Sequence, residues 1–329
     1  MSSKGKYLFL ILGLFLVIYS TFMTINFKKI EKMLDEENNN YLSIHEELEM
    51  TKEYTDCVFK DYLEEDNTLM ISNKIEELNN YFKSNYRYRI SVYYEDTNTG
   101  FSYGYRENEI YYGASLIKLL EAMYIYDEAI LESININDEM IYTSKYKNDY
   151  SIGMDEYRYG DKVSFKKLAD YVVRYSDNTA HAMLYDYIGR DKLIRYGESI
   201  GAKCTLQGDD TYGSQTVMDT NMYLRHAYKL IGNGTEYGKM LEESMMNTLY
   251  NSLYLTLEEE NNVAHKYGWY ESNYHDIGIV FEDGAVYNIS VLTTYGEEDY
   301  EDIVRDIHKR VNELHNEFYN MRKNECKNN

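Results

Sequence analysis

Residues 115–123 read Ser115-Leu116-Ile117-Lys118-Leu119-Leu120-Glu121-Ala122-Met123, an almost unbroken apolar helix that opens on a hydroxyl and buries a lysine. Residues three apart share a helix face, so the Lys118 ammonium can reach the Ser115 hydroxyl. Apolar surroundings favour the uncharged amine, which makes Lys118 a usable base and Ser115 a usable nucleophile towards an acyl carbon. The pattern S-x-x-K also occurs at Ser3, Ser144 and Ser164. Ser3 falls in the expected cytoplasmic tail, the other two sit in charged stretches, and only Ser115 opens an apolar helix.

Outward from this helix the chain divides clearly. Upstream, Ile71, Ile75, Leu78 and Phe82 mark one face of an amphipathic helix. The segments 88–94 and 101–105 read as strands joined by the turn Asp96-Thr97-Asn98-Thr99-Gly100. Downstream, residues 115–230 read as a helical block broken by loops. Strands return at 263–269, 277–281 and 286–295, and a last helix over 298–322 carries Ile303, Ile307, Val311, Leu314 and Phe318 on one face. Strands on either side of the block can still join one sheet. The expected fold class is therefore α/β, an α+β sandwich: an antiparallel sheet flanked by N- and C-terminal helices, plus an all-helical lobe. The crevice between the lobes is where a ligand belongs.

Two further segments bring polar groups to that crevice. Ser176-Asp177-Asn178 precedes the apolar helix Ala180-His181-Ala182-Met183-Leu184, where Ser, Asp and Asn are all good helix caps. Alternatively, the Ser176 hydroxyl relays a proton and the Asn178 amide binds a substrate amide. In the late strand His265-Lys266-Tyr267-Gly268-Trp269, Lys266 offers a positive charge and Gly268 lets a substrate backbone approach.

In this order, S-x-x-K at Ser115, S-D-N at Ser176 and a late Lys-x-Gly at Lys266 resemble the class A β-lactamase and penicillin-binding-protein superfamily, whose signature is S-x-x-K, S-D-N and K-T-G. Asn98-Thr99-Gly100, Ser176 to Ala180 leading into Tyr187-Ile188-Gly189, and Asp276-Ile277-Gly278-Ile279-Val280 extend the resemblance over residues 71–319. It implies a β-lactamase-like fold in which Ser115 is acylated with Lys118 as base or relay, and Ser176 passes a proton to the leaving nitrogen. Asn178, Lys266 and Gly268 would receive the substrate, and the N–H groups of Ser115 and Trp269 would form the oxyanion hole. No cofactor or metal is implied.

The chain departs from the pattern at two points. Tyr267 replaces the K-T-G threonine, so its oxygen stands further out and cannot make the same carboxylate contact. Between Glu198 and Glu236 there is no glutamate to serve as the class A deacylation base; Asp209 and Asp210 are the acids left in the short stretch 201–216. Deacylation is therefore expected to be slow. The substrate class expected is a β-lactam or a D-Ala-D-Ala-like cell-wall peptide. A D,D-peptidase or other amide hydrolase on the same scaffold, or a catalytically weak wall-binding or sensor module, is the alternative.

The rest of the chain sets the context. The net charge of −22, with no basic cluster, argues against a nucleic-acid partner. Residues 7–27 carry no charge and, at about 1.5 Å per residue, span roughly a bilayer's hydrocarbon core. No small-x-small cleavage site follows. The expected organisation is a cytoplasmic tail (1–6), an uncleaved transmembrane signal-anchor (7–27), a polar stalk (28–67), an extracytoplasmic hydrolase domain (68–323) and a short tail (324–329). This makes a single-pass protein of the cell membrane. Cys57, Cys204 and Cys326 lack motif spacing and are expected to be unpaired.

Overall fold

The computed structural model describes residues 65–328 apart from 204–205, 207–209, 251–252, 254–262, 283–284 and 296–299. The apolar run 7–27, nearly all of the stalk, Cys57, Cys204 and Asp209 lie outside the described residues. Among the described residues no helix is long and apolar enough to cross a membrane.

Helix α1 (Glu65–Asn85) leads into strands β1 (Ile90–Asp96) and β2 (Ser102–Tyr105). At their turn the Asp96 carboxylate accepts from the N–H groups of Asn98 and Thr99 and from the Thr99 hydroxyl. After the long lobe, β7 (Val263–Tyr270), β8 (Asn273–Glu282) and β9 (Ala285–Thr293) complete one antiparallel sheet in the order β2-β1-β9-β8-β7. Strands β1 and β9 pair from Ile90↔Thr293 to Asp96↔Tyr287, and β7 and β8 from Val263↔Val280 to Tyr270↔Asn273.

Alternation along the strands gives the sheet two different faces. Ile90, Val92, Tyr94, Tyr287, Ile289 and Val291 pack with α1 and the final helix α8 (Tyr300–Asn328). All five apolar residues expected on one face of that last helix are buried in this core. Two tyrosine–histidine pairs lie inside it: Tyr94 Oη is 2.7 Å from His315 Nδ1, and Tyr287 Oη 2.9 Å from His308 Nε2.

The other face packs on the helical lobe. Its central helix α2 (Ile117–Ile130) is surrounded by α3 (Phe165–Arg174), α4 (Asn178–Ile188), α5 (Arg190–Ser199), α6 (Val217–Ile231) and α7 (Glu236–Met246). The lobe is not all-helical, which corrects the expectation from sequence. Short strands β4 (Glu139–Ile141) and β5 (Lys162–Ser164) pair within it, and β3 (Tyr111–Tyr112) pairs with β6 (Ser214–Gln215). Strands of two or three residues are too short to show alternation. A second correction concerns the thiols: Cys326 is disulfide-bonded, and its partner lies outside the described residues.

Candidate active site

The edge strand β7 is buried from Val263 to Gly268, where the turn that carries Ser115 and helix α7 pack against it. A Cβ on Gly268 would stand 3.2 Å from Gly113 O, Ser115 N and Leu116 Cγ, so any side chain here would make the neighbours give by a few tenths of an ångström. Ser115 lies in a 3-10 turn, Ala114–Leu116, whose first residue has φ of 45°. An L-residue in this left-handed region is strained, and such strain collects at functional sites.

Ser176 is also left-handed (φ 52°), at the point where α3 ends and the chain turns into α4. Here the cap is Asp177. One of its carboxylate oxygens accepts from Ala180 N at 2.8 Å and the other from Met154 N at 2.9 Å. Capping therefore falls to Asp177, which leaves the flanking Ser176 and Asn178 side chains free to face Lys118.

All five polar side chains singled out in the sequence meet. Lys118 Nζ donates to Ser115 Oγ at 3.0 Å, Ser176 O at 2.6 Å and Asn178 Oδ1 at 2.6 Å, with Ser176 Oγ at 3.4 Å. Lys266 Nζ donates to the same Ser176 Oγ at 2.9 Å and to Tyr267 O at 2.6 Å. Both lysines are fully buried. Burial pushes Lys118 down to about 7, opposed by the carboxylates of Glu121 and Asp177. Burial, followed by the charge of Lys118, holds Lys266 well below the ordinary lysine range. As an ammonium, Lys118 can satisfy three acceptors. As an amine, it keeps two and turns a lone pair to the Ser115 hydroxyl.

The remaining sequence candidates are placed as follows. Gly268 abuts Ser115 N, and Trp269 follows it at the exposed end of β7. Tyr267 is directed inward: Lys266 Nζ lies 4.2 Å from its ring centroid, and Tyr250 packs edge-on at 5.3 Å. Burial raises its phenol, opposed by a hydrogen bond with Ser176. The Asp210 carboxylate is spent on a turn, accepting from Tyr212 N and Gly213 N. The other described S-x-x-K matches do not enter the site. Ser164 caps α3 while Lys167 donates to the Tyr157 hydroxyl, and Ser144 and Lys147 are both exposed.

Three residues at the site were not anticipated. The Tyr212 hydroxyl reaches Asn178 Oδ1 at 3.3 Å, and its ring lies 5.7 Å from Lys118 Nζ. Behind them, Glu121 Oε1 meets His181 Nδ1 at 2.8 Å. The only signal in the sequence is a charged or polar residue interrupting each of two apolar helices: Glu121 three positions after Lys118, and His181 three after Asn178.

A half-buried serine beside a buried lysine, between a helical lobe and the edge of a five-stranded antiparallel sheet, defines a β-lactamase-like serine hydrolase fold. The chain belongs to the beta-lactamase enzyme family, whose model matches residues 73–314. Among solved structures it is similar to TLA-3 extended-spectrum beta-lactamase (TM-score 0.65, 20% identity, covering 72% of this chain and 98% of that one). It is also similar to PBP-A (TM-score 0.65, 17% identity, 73% and 95%) and to the beta-lactamase of Sphaerobacter thermophilus (TM-score 0.64, 13% identity, 74% and 97%). A variant of PBP-A seen as an acyl-enzyme with penicillin G matches equally well (TM-score 0.65, 16% identity, 74% and 96%). Comparison with curated proteins gives no match.

Proposed function

We propose that the protein is an acyl-transfer hydrolase in which Ser115 is acylated by β-lactams or D-Ala-D-Ala-like cell-wall peptides. The observation that carries this reading is the 3.0 Å approach of Lys118 Nζ to Ser115 Oγ, with the lysine pushed down to about 7. Near neutral pH a large share of Lys118 is the free amine. It takes the Ser115 proton as Oγ attacks the acyl carbon. Ser176 Oγ accepts from both lysines, so its own proton is free to pass to the leaving nitrogen, and Lys118 replaces it. The N–H groups of Ser115 and Trp269 hold the oxyanion, while Asn178 and Lys266 orient the substrate. Release of the acyl group is slow, because Asp210 is committed to its turn and no glutamate lies between Glu198 and Glu236. The apolar run 7–27 suits a single-pass anchor that holds this domain outside the membrane, where such substrates lie.

The test is covalent labelling. The purified full-length chain is incubated with a fluorescent penicillin and its intact mass followed over time. The wild type gains one adduct that persists for minutes, and S115A gains none. An unlabelled wild type at millimolar probe refutes penicillin recognition, and label lost within seconds refutes slow deacylation. Protease added to labelled whole cells removes the band; a protected band refutes the outward orientation.

A further inference from the structure

Glu121 is out of place in the helix that carries Lys118. Ile117 to Met123 are all buried, and Glu121 itself is 0% exposed. One carboxylate oxygen meets His181, while the other, Oε2, has no hydrogen-bond partner among the described residues. Burying a carboxylate with a bare oxygen is costly, so it needs a nearby cation or donor to offset it. Lys118 is the neighbour on the same helix face, three residues back. Of the charges acting on that lysine, Glu121 acts most strongly and Asp177 next.

The partner histidine leads back to the same lysine by another route. His181 Nε2 lies 3.0 Å from Thr211 Oγ1, and its ring lies 4.7 Å from the ring of Tyr212. Tyr212 in turn reaches Asn178 Oδ1, the atom to which Lys118 donates. The pair therefore meets Lys118 through charge along α2 and through packing across Tyr212.

We propose that Glu121, held by His181, is a positioning residue for acyl transfer: its carboxylate sets how readily Lys118 holds its proton, and His181 seats Tyr212 against Asn178. This rests on the reading of Lys118 as the base for Ser115. The other groups facing Lys118 are otherwise engaged. Both oxygens of Asp177 are taken by Met154 N and Ala180 N. Lys266, across Ser176 Oγ, is held towards its neutral form by burial. Glu121 is thus the carboxylate whose removal changes the charge beside Lys118 and spares the α4 cap. The sign follows directly: without the negative charge, Lys118 releases its proton at lower pH.

The test uses the full chain with isotope-labelled lysine, the Lys118 resonance being assigned by its absence in K118M. In E121Q its titration midpoint falls by about one pH unit. Acylation by fluorescent penicillin at pH 5.5 becomes about tenfold faster than in the wild type, and the two converge above pH 8. H181Q keeps the charge: its midpoint stays in place while acylation drops several-fold at every pH. E121L, which puts an apolar side chain into an apolar helix, carries the E121Q prediction should E121Q fold poorly. A purely structural Glu121 lowers stability and leaves the lysine midpoint unmoved, and that result overturns the proposal. A shifted midpoint in a chain that penicillin never labels supports the Glu121–Lys118 coupling and refutes only the acyl-transfer reading.

Discussion

Replacing Gly268 by alanine separates the geometry of the nucleophile from its chemistry. The added methyl would stand 3.2 Å from Gly113 O, Ser115 N and Leu116 Cγ, where carbon contacts settle at about 3.5–4.0 Å. Relief therefore needs a shift of a few tenths of an ångström. Strand β7 is fixed by its register with β8 along its whole length, from Val263↔Val280 to Tyr270↔Asn273. The turn Ala114–Leu116, already strained at Ala114, is the side that yields. Overpacking of this kind costs about 1–3 kcal/mol of stability. The larger effect is on rate, because the methyl crowds the Ser115 N–H, a proposed oxyanion donor. Loss of one such donor costs about 10²–10³-fold, and a misplaced nucleophile about as much. G268A is thus expected to acylate with fluorescent penicillin about 100-fold more slowly than wild type at the same pH. Urea denaturation run in parallel shows it folded. The control is G104A on strand β2, at the opposite edge of the sheet, whose Cβ would first meet the Glu107 side chain, at 3.2–3.3 Å. A folded G268A that acylates within threefold of wild type refutes the claim that this close approach matters.

Two further outcomes concern stability. D177A removes the α4 cap and leaves Met154 N–H buried without an acceptor, and is expected to cost about 2–4 kcal/mol in urea denaturation. D177N keeps one acceptor and should lose about half as much; equal stability of all three chains would remove Asp177 from its structural role. On acidification, His275 and His308, both pushed down to about 4 by burial, bind protons more readily in the unfolded chain. Their contribution is intact above about pH 6.5 and lost towards pH 4, with about 2 kcal/mol per histidine gone at pH 5. H308Q should flatten the stability profile between pH 7 and 5 by about that amount, and an unchanged slope would rule His308 out.

The long periodic elements were legible from the sequence because one-sided burial writes itself into spacing. Ile71, Leu78 and Phe82, and Ile303 through Phe318, all lie in the core beneath the sheet. Ser115, Lys118, Ser176, Asn178 and Lys266 were legible for another reason: their residue types at ordered positions match a known chemistry, and the structure brings them together. Other features depend on distant partners and leave little local trace. Glu121 finds His181 across two helices, and Tyr212 arrives on a loop with no periodicity. Tyr267 faces inward because a phenol can lie under Lys266 and bond Ser176, which its size alone did not suggest. Segments such as Glu139–Ile141 become strands only because Lys162–Ser164 lies alongside.

The pairing of β1 with β9 sets the order in which this molecule can assemble. Ile90 finds Thr293 only after the whole helical lobe has been spanned, and this long loop closure must come before the contacts that reward it. Ser115 and Lys118 belong to the lobe and Lys266 to the edge strand β7, which follows the lobe in the chain, so the reactive cluster is complete only once β7 has docked on the lobe. A chain leaving the ribosome would carry Ser115 long before it could fire. Reactivity towards an acyl probe during refolding should therefore lag behind helix formation and rise as β7 docks on the lobe, which makes the nucleophile a clock for that step.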